Sequence, residues 1–331
     1  MQIRQNFTNQ TNQPEPSALL VGSCFVSLET RDPSEFELAL RPWELMARPS
    51  VAGSFQHAVS MLRTQTFFLY RETFDLPMST LGLSPKGMLG IGVSDDRSDA
   101  KYWGIEHGNS SCPMMMSGPL EVNWTSPHAQ NVAFISTDVL RECVSEQEYE
   151  RLIQFGVLRR ATVLPATRRR LAGFLERVLK IAQSVAVLSP ESDFISDVQE
   201  ELCSMLGLIA RQSLEQTSFP SQSARKRAVN LVCDFLVDAP KHDTKVSELC
   251  RIAGMSERSL RYAFNEEIGL PPREFMALRR FHAVRRSMLL ADPAINSVTE
   301  TAMDHGFFEL GRFAGRYRTL FGELPSETLQ K

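Results

Sequence analysis

GMSERSLRYAFNEEIGLPP, Gly254 to Pro272, runs from a glycine to a pair of prolines. Between them Leu260, Ala263, Phe264 and Ile268 fall at i, i+3, i+4 and i+8, one apolar stripe of a helix with 3.6 residues per turn. That stripe accounts for the core face. Arg258, Arg261, Tyr262 and Asn265, at i, i+3, i+4 and i+7, form a second stripe pointing the other way, rich in hydrogen-bond donors.

The flanking sequence says what such a ridge is for. VSELCRIAG (Val246 to Gly254) aligns with VTETAMDHG (Val298 to Gly306) at an offset of 52. One extra residue in the following turn makes the offset 53, so that Leu260, Phe264, Ile268, Gly269 and Pro272 match Phe313, Tyr317, Phe321, Gly322 and Pro325. A helix, a glycine-containing turn and a second helix, used twice, is a tandem helix-turn-helix. The second helix of such a unit can enter a DNA major groove roughly 12 Å wide. Arg258 and Arg261 suit bidentate contact with guanine, Asn265 suits adenine or a phosphate, and Tyr262 a phosphate or a thymine methyl. Glu257 and Ser259 sit at the same helix start, with Ser256 as its N-cap, and Ser247 or Ser297 is placed to donate to phosphates.

The second unit carries a different outward face. Gly311, Arg312, Gly315 and Arg318 occupy it, and each exposed glycine within a helix costs roughly 1 kcal/mol against alanine. Such a cost points either to close approach of DNA to the backbone, with Arg312, Arg316 and Arg318 on phosphates, or to helix packing against the glycines. The stretch from Arg273 to Leu290 reads as a stiff connecting helix spanning roughly 27 Å. It would hold two recognition helices for successive major grooves about 34 Å apart. Its Arg279, Arg280, Arg285 and Arg286 read as a largely solvated face.

Upstream of residue 220 the pattern differs. From Ala18 to Cys143, short strand-like segments (TFFLYRETF, MLGIGVS, LEVNW, NVAFIS) alternate with Gly, Pro, Ser and Asp clusters, which suggests an antiparallel sandwich or barrel. PSEFELALRPWELMA (Pro33 to Ala47) interrupts it with a helical pattern. Long helical periods follow Thr137. In one of them Ile195, Val198, Leu202, Met205, Leu206 and Ile209 form a stripe that suits an internal helix pair or a dimer contact. The expected organisation is therefore a polar tail over 1–17, a β domain over 18–160, dimerisation helices over 161–216, a linker over 217–223 and a helical DNA-binding domain over 224–331, α+β overall.

Composition agrees with a soluble two-domain protein: 331 residues, 43% apolar and 23% charged. The net charge of −3 is unevenly spread, with 17 Lys+Arg against 14 Asp+Glu in residues 221–331 and 19 against 25 before them. Six dispersed cysteines with no CxxC pair suit a reducing cytoplasm, and no segment reads as a membrane span or signal peptide. His57, His107 and His128 are isolated and form no metal-ligand spacing, GMLGIGVSD lacks the third glycine of a dinucleotide fingerprint, and Walker and nucleophile-elbow motifs are missing. No catalytic residue, metal or cofactor is expected.

At LCRIAGMSERSLRYAFNEEIGLPPREF and VTETAMDHGFFELGRFAGRYRTLFGELPSETL the chain resembles the DNA-binding domain of the AraC/XylS family of bacterial transcription regulators. The resemblance covers about Ala224 to Gln330. It implies a seven-helix domain on promoter half-sites, usually dimeric and usually activating in concert with RNA polymerase. The family's reading positions fall here on Arg258, Arg261 and Tyr262, and in the second unit on Gly311, Ala314 and Gly315, which offer no reaching side chain. The region before residue 220 resembles, more weakly, the cupin-like sensor barrels of amine- or ethanolamine-responsive activators. That resemblance implies a small amine or amino alcohol as effector, for which aromatic faces and a carboxylate are suited. Phe67, Tyr70, Glu72, Tyr102, Trp103, Glu121 and Trp124 are the candidates. Two alternatives stay open: a methyl-accepting alkylation-repair protein using Cys112 or Cys143, and a DNA-binding protein without an effector.

Overall fold

The computed structural model describes residues 24–40, 43–51, 53, 55–94, 100–184, 193–212, 223–239 and 244–331. The expected tail over 1–17 and all but the last residue of the expected linker lie outside them. The chain divides into two compact units, residues 20–237 and residues 238–331, and each is described by itself.

The first unit opens with β1 (Cys24–Thr30), α1 (Pro33–Ala39), β2 (Glu44–Pro49), β3 (His57–Arg63), β4 (Phe67–Phe74), β5 (Met78–Ser84) and β6 (Met88–Ser94). It continues with β7 (Lys101–Tyr102), β8 (Ile105–Glu106), β9 (Ser111–Met115), β10 (Gly118–Trp124), β11 (His128–Ser136), α2 (Thr137–Cys143), α3 (Glu146–Leu158) and β12 (Arg160–Thr162). Three helices follow, α4 (Pro165–Ser184), α5 (Asp193–Gln212) and α6 (Ala224–Asp238). The helical pattern expected over Pro33 to Ala47 is thus only half realised. Asp32 caps α1 and Pro33 starts it, but the chain re-enters as a strand at Glu44.

The strands make two antiparallel sheets, ordered β1-β3-β4-β11-β6-β9-β12 and β2-β5-β10-β7-β8. Of the sandwich or barrel expected from the strand spacing the chain takes the sandwich, and the barrel implied by the cupin-like resemblance does not close. Among the described residues no strand of one sheet pairs with a strand of the other, and the larger sheet ends in a three-residue edge strand. The two sheets instead cover each other as layers.

Alternation along the central strands gives the larger sheet two apolar faces. Phe68, Tyr70 and Phe74 of β4 join Phe36, Trp43, Trp124 and Phe134 in the core between the sheets. Phe67 and Leu69 of the same strand join Ile91, Leu171, Leu175, Leu202 and Leu206 beneath the helices. Burial of each such large side chain stabilises the fold by about 1.5–3 kcal/mol. All six residues of the α5 stripe are buried in this second cluster, so the chain itself covers the face that had also suited a dimer contact.

In the second unit α7 (Val246–Ala253) and α8 (Glu257–Ile268) meet at Gly254, and α10 (Val298–Asp304) and α11 (Leu310–Phe321) meet around Gly306. Both glycines hold the left-handed conformation, at φ 61° and 75°, which only glycine adopts without strain. The recognition-position helices α8 and α11 end in like manner at Gly269 (φ 76°) and Gly322 (φ 75°). α12 (Pro325–Leu329) closes the chain, so the second unit holds six described helices, α7 to α12.

Between the modules runs α9 (Pro272–Leu290), which is not an exposed strut. Phe275, Met276, Phe281, Val284 and Met288 are buried on several sides of it, and so are Arg279, Arg285 and Arg286. The expectation of a solvated arginine face is corrected here. Arg285 reaches Glu323 at 2.6 Å and lies 4.8 Å from the Phe321 ring, so its charge is met inside the fold. The helix is amphipathic in name only, because its long cationic stems pack where apolar residues would.

Candidate functional sites: an exposed arginine ridge and a buried aromatic pocket

Helix α8 stands as its two stripes require. Leu260, Ala263, Phe264 and Ile268 are buried, while Arg258, Arg261, Tyr262 and Asn265 are exposed. The Ser256 hydroxyl accepts from Ser259 N–H at 3.2 Å and fixes the helix start, and the Ser259 hydroxyl lies 3.0 Å from it. Both guanidiniums lean on one ring, Arg258 at 5.5 Å and Arg261 at 5.6 Å from the Tyr262 centroid. Tyr262 therefore orders two cations that would otherwise lose side-chain entropy on binding. Ser247 is exposed on α7. Glu257 pairs with Arg273 at 2.9 Å and ties the start of α8 to α9; its charge makes it an anchor for the helix rather than a phosphate contact.

The second module presents a lower profile. A Cβ built on Gly311 or Gly315 would meet nothing within 4 Å, so no described helix packs on either glycine. Of the two explanations left open by the sequence, packing among the described residues is removed. Arg312 pairs with Glu309 at 2.5 Å, Arg316 lies 5.5 Å from the Phe281 ring, and Arg318 is exposed. Sequence reasoning missed Phe308, which is 76% exposed. It borders a groove of about 520 Å³ lined also by Arg273, Arg280, Arg312 and Arg316. The adjoining FF dipeptide hid it, since Phe307 turns inward onto Phe281 and Phe313.

In the first unit the structure gathers four of the seven effector candidates. Tyr70, Glu72, Tyr102 and Trp124 line one enclosed cavity between the sheets, together with Trp43, Thr80 and Gln130. The last three were not among the candidates. Gln130 had no signal of its own; only pairing of β11 with β4 sets it opposite Glu72. The other three candidates are elsewhere. Phe67 faces the helix layer. Trp103 sits in the β7–β8 turn, its Nε1 donating to Pro119 O at 2.8 Å and its ring under Arg159 at 4.8 Å. Glu121 points away from the sheet interface and accepts from Asn123 Nδ2 at 2.9 Å.

Inside the cavity the hydroxyl of Tyr102 donates to Gln130 Oε1, and Gln130 Nε2 donates to Glu72 Oε1. Glu72 Oε2, Thr80 Oγ1 and the indole nitrogens of Trp43 and Trp124 are buried with no partner among the described residues. Burial pushes the Glu72 carboxyl up to about 8, against the opposing pull of the Gln130 hydrogen bond. Burial and the nearby Glu72 push both tyrosine hydroxyls well above their usual range.

No group of three or more His, Cys, Asp and Glu side chains among the described residues is arranged to hold a metal. Cys112 is fully buried, and burial pushes its thiol up to about 12, which leaves little thiolate for methyl transfer. That weighs against the alkylation-repair alternative at this cysteine.

A helix-turn-helix domain family model matches residues 249–331. The XylDLEGF operon transcriptional activator 3 of Pseudomonas putida is 36% identical over 131 residues, 38% of this chain and 39% of that protein. The probable thc operon regulatory protein of Rhodococcus erythropolis is 31% identical over 217 residues, 62% of this chain and 63% of that one. The chain thus carries a helix-turn-helix domain over these residues and is similar to AraC/XylS-type regulators. Its matches span less than two thirds of the length of either relative. Among solved structures, the AraC-like transcriptional activator CuxR aligns over 78% of this chain and 94% of its own, with TM-score 0.43 and 14% identity. ToxT from Vibrio cholerae O395 aligns over 93% and 97%, with TM-score 0.37 and 10% identity.

Proposed function

We propose that this protein is an AraC/XylS-type regulator, a ligand-responsive, promoter-binding activator of a catabolic operon. The reading is carried by the α8 ridge, where Arg258, Arg261, Tyr262 and Asn265 stand exposed on a capped helix whose opposite face is buried. The XylDLEGF operon activator among its relatives supports the sign of regulation. α8 reads bases in one major groove, and α11, with glycines in place of reaching side chains, lies closer to the backbone and holds phosphates through Arg312, Arg316 and Arg318. The first unit binds a small-molecule effector in the cavity around Glu72, and binding shifts the population able to occupy the promoter. A homodimer, contact with RNA polymerase and a cytoplasmic location complete the proposal. The α5 stripe is not the dimer face, since it is already buried. No described helix is long and apolar enough to cross a membrane.

Mapping the genomic sites of the full chain and footprinting one of them tests this reading. A protected promoter beside catabolic genes, lost with Arg258→Ala and Arg261→Ala together, is the expected result. Protection that survives the double substitution would remove α8 as the reading helix.

A further inference from the structure

Among the described residues two tyrosine, tryptophan or phenylalanine side chains stand exposed, Tyr262 at 48% and Phe308 at 76%. Tyr262 belongs to the ridge of α8. Phe308 belongs to the second module and precedes the first residue of α11 by two positions. The backbone fixes its place. Gly306 N–H donates to Met303 O at 2.8 Å and Phe307 N–H to Ala302 O at 2.9 Å, which pins the turn. Phe307 packs on Phe281 and Phe313, with ring centroids at 4.6 and 4.8 Å, and fills the apolar slot that its neighbour would need. Phe308 is thus held out to solvent on a rigid support, and a ring with two side-chain torsions has little freedom to lose when a partner covers it.

The surroundings indicate the chemistry of that partner. Phe308 borders the groove of about 520 Å³, where the guanidiniums of Arg273, Arg280, Arg312 and Arg316 face the one carboxylate of Glu309. Arg273 and Arg312 have acidic partners in Glu257 and Glu309, but these pairs are exposed and worth little, so they yield to phosphate. Three and seven residues beyond the ring, Gly311 and Gly315 leave open space on α11, so a large surface can approach the helix closely. A polyanion carrying apolar points fits this arrangement. In a helix-turn-helix unit the N-terminal end of the second helix is the part that meets base edges in the major groove. The apolar mark displayed there is the 5-methyl group of thymine, which a phenyl ring can read. An acidic protein would be drawn by the same arginines, but it leaves the two bare glycines of α11 without a use.

We propose that Phe308 is the base-reading side chain of the second module, its ring packed on a thymine methyl while the arginines around it hold phosphates. The inference rests on the reading of the chain as a promoter-binding protein and adds the residue that gives α11 a sequence preference. Gly311, Ala314 and Gly315 have no side chain long enough to reach a base. Phe308 supplies from the leading edge of the helix what its outward face lacks.

The test uses the full chain and a footprinted promoter duplex in which single thymines are replaced by deoxyuridine. That replacement removes the methyl and keeps every hydrogen-bonding group of the base. Affinities of the unaltered chain and of Phe308→Ala are measured at one salt concentration, and melting temperature checks that the variant is folded. In the half-site whose protection does not depend on Arg258 and Arg261, removing the methyl at one or two positions should weaken the unaltered chain roughly fivefold, the effect of one buried methyl. Phe308→Ala should bind the thymine duplex as weakly as the unaltered chain binds the deoxyuridine duplex, with no further loss on the latter. On random DNA the substitution should cost less than about twofold. No methyl-sensitive thymine in that half-site, the same methyl cost in the variant, or equal losses on random DNA would each overturn the proposal. So would a variant that binds the promoter normally and fails to activate transcription, which would assign the ring to a protein partner. A site protected through Arg258 and Arg261 but blind to methyls under α11 removes the role of Phe308 alone, whereas a chain that protects no site removes the DNA-binding reading and this contact with it.

Discussion

The two compact units put their polar side chains to opposite uses. The sandwich draws Glu72, Gln130 and Tyr102 out of water and links them by hydrogen bonds that leave Glu72 Oε2 unpartnered, while the helical unit leaves Arg258, Arg261 and Asn265 in solvent above a dry face. Desolvation is costly for the first set and nearly free for the second until DNA arrives. A buried polar group therefore registers in the stability of its unit, and an exposed one registers only in binding. This contrast can be broken or sharpened by measurements that separate the two quantities.

The largest expected effect lies in the sandwich. A carboxyl at about 8 in the fold and near 4.5 in the unfolded chain binds an extra proton in the folded state between those values. Its stabilising contribution is whole below about pH 4.5 and is lost as pH rises through 8, a change on the order of a few kcal/mol. Denaturant unfolding at pH 5 and pH 8 measures it, and Glu72→Gln should flatten the difference. An unchanged slope would show that Glu72 is not held neutral by its surroundings.

On the helical unit, Arg258→Ala or Arg261→Ala should cost roughly 1–3 kcal/mol on the cognate promoter and less on random DNA, while stability moves by no more than about 0.5 kcal/mol. Equal losses on both DNAs would mean that the two arginines hold phosphates only. A fall in melting temperature as large as the fall in affinity would break the contrast between the units.

Gly315→Ala separates the quantities by sign. With open space around the glycine, alanine should stabilise helix α11 by up to roughly 1 kcal/mol while weakening promoter binding, because its methyl stands where the backbone would meet DNA. Improved stability with unchanged affinity would place DNA elsewhere. The smallest effect belongs to Arg312→Ala. Its exposed pair with Glu309 is worth well under about 1 kcal/mol to the fold, and its loss should weaken binding alike on all sequences and lower the salt slope by about one charge.

The helical ridge was legible because a surface helix needs only its own period. Leu260 and Arg258 declare opposite faces within a dozen residues, and no distant strand can reassign them. The same rule misjudged α9. Arg279, Arg285 and Arg286 look solvated along one helix, yet the modules on either side of it enclose them, and Arg285 finds Glu323 thirty-eight residues away. For the α5 stripe the period was right and the partner was not decided until the sheet beneath it was in place.

Strand alternation likewise carried part of the candidate effector site. It puts Tyr70 and Glu72 on one face of β4, but nothing local says that Phe67 belongs to the other layer's core or that Trp103 turns outward at a hairpin.

From its own letters the chain fixes two helix-turn-helix modules, their donor-bearing ridges and the change from strands to helices near Thr137, since each rests on spacing within one element. Tertiary structure alone decides that the β domain is two open layers and that Glu72 meets Gln130 fifty-eight residues on. It alone sets the indoles of Trp43 and Trp124 beside that carboxyl. The physical reason is that a buried polar contact is defined by strand register and sheet pairing, which bring together residues whose neighbours in sequence carry no trace of one another.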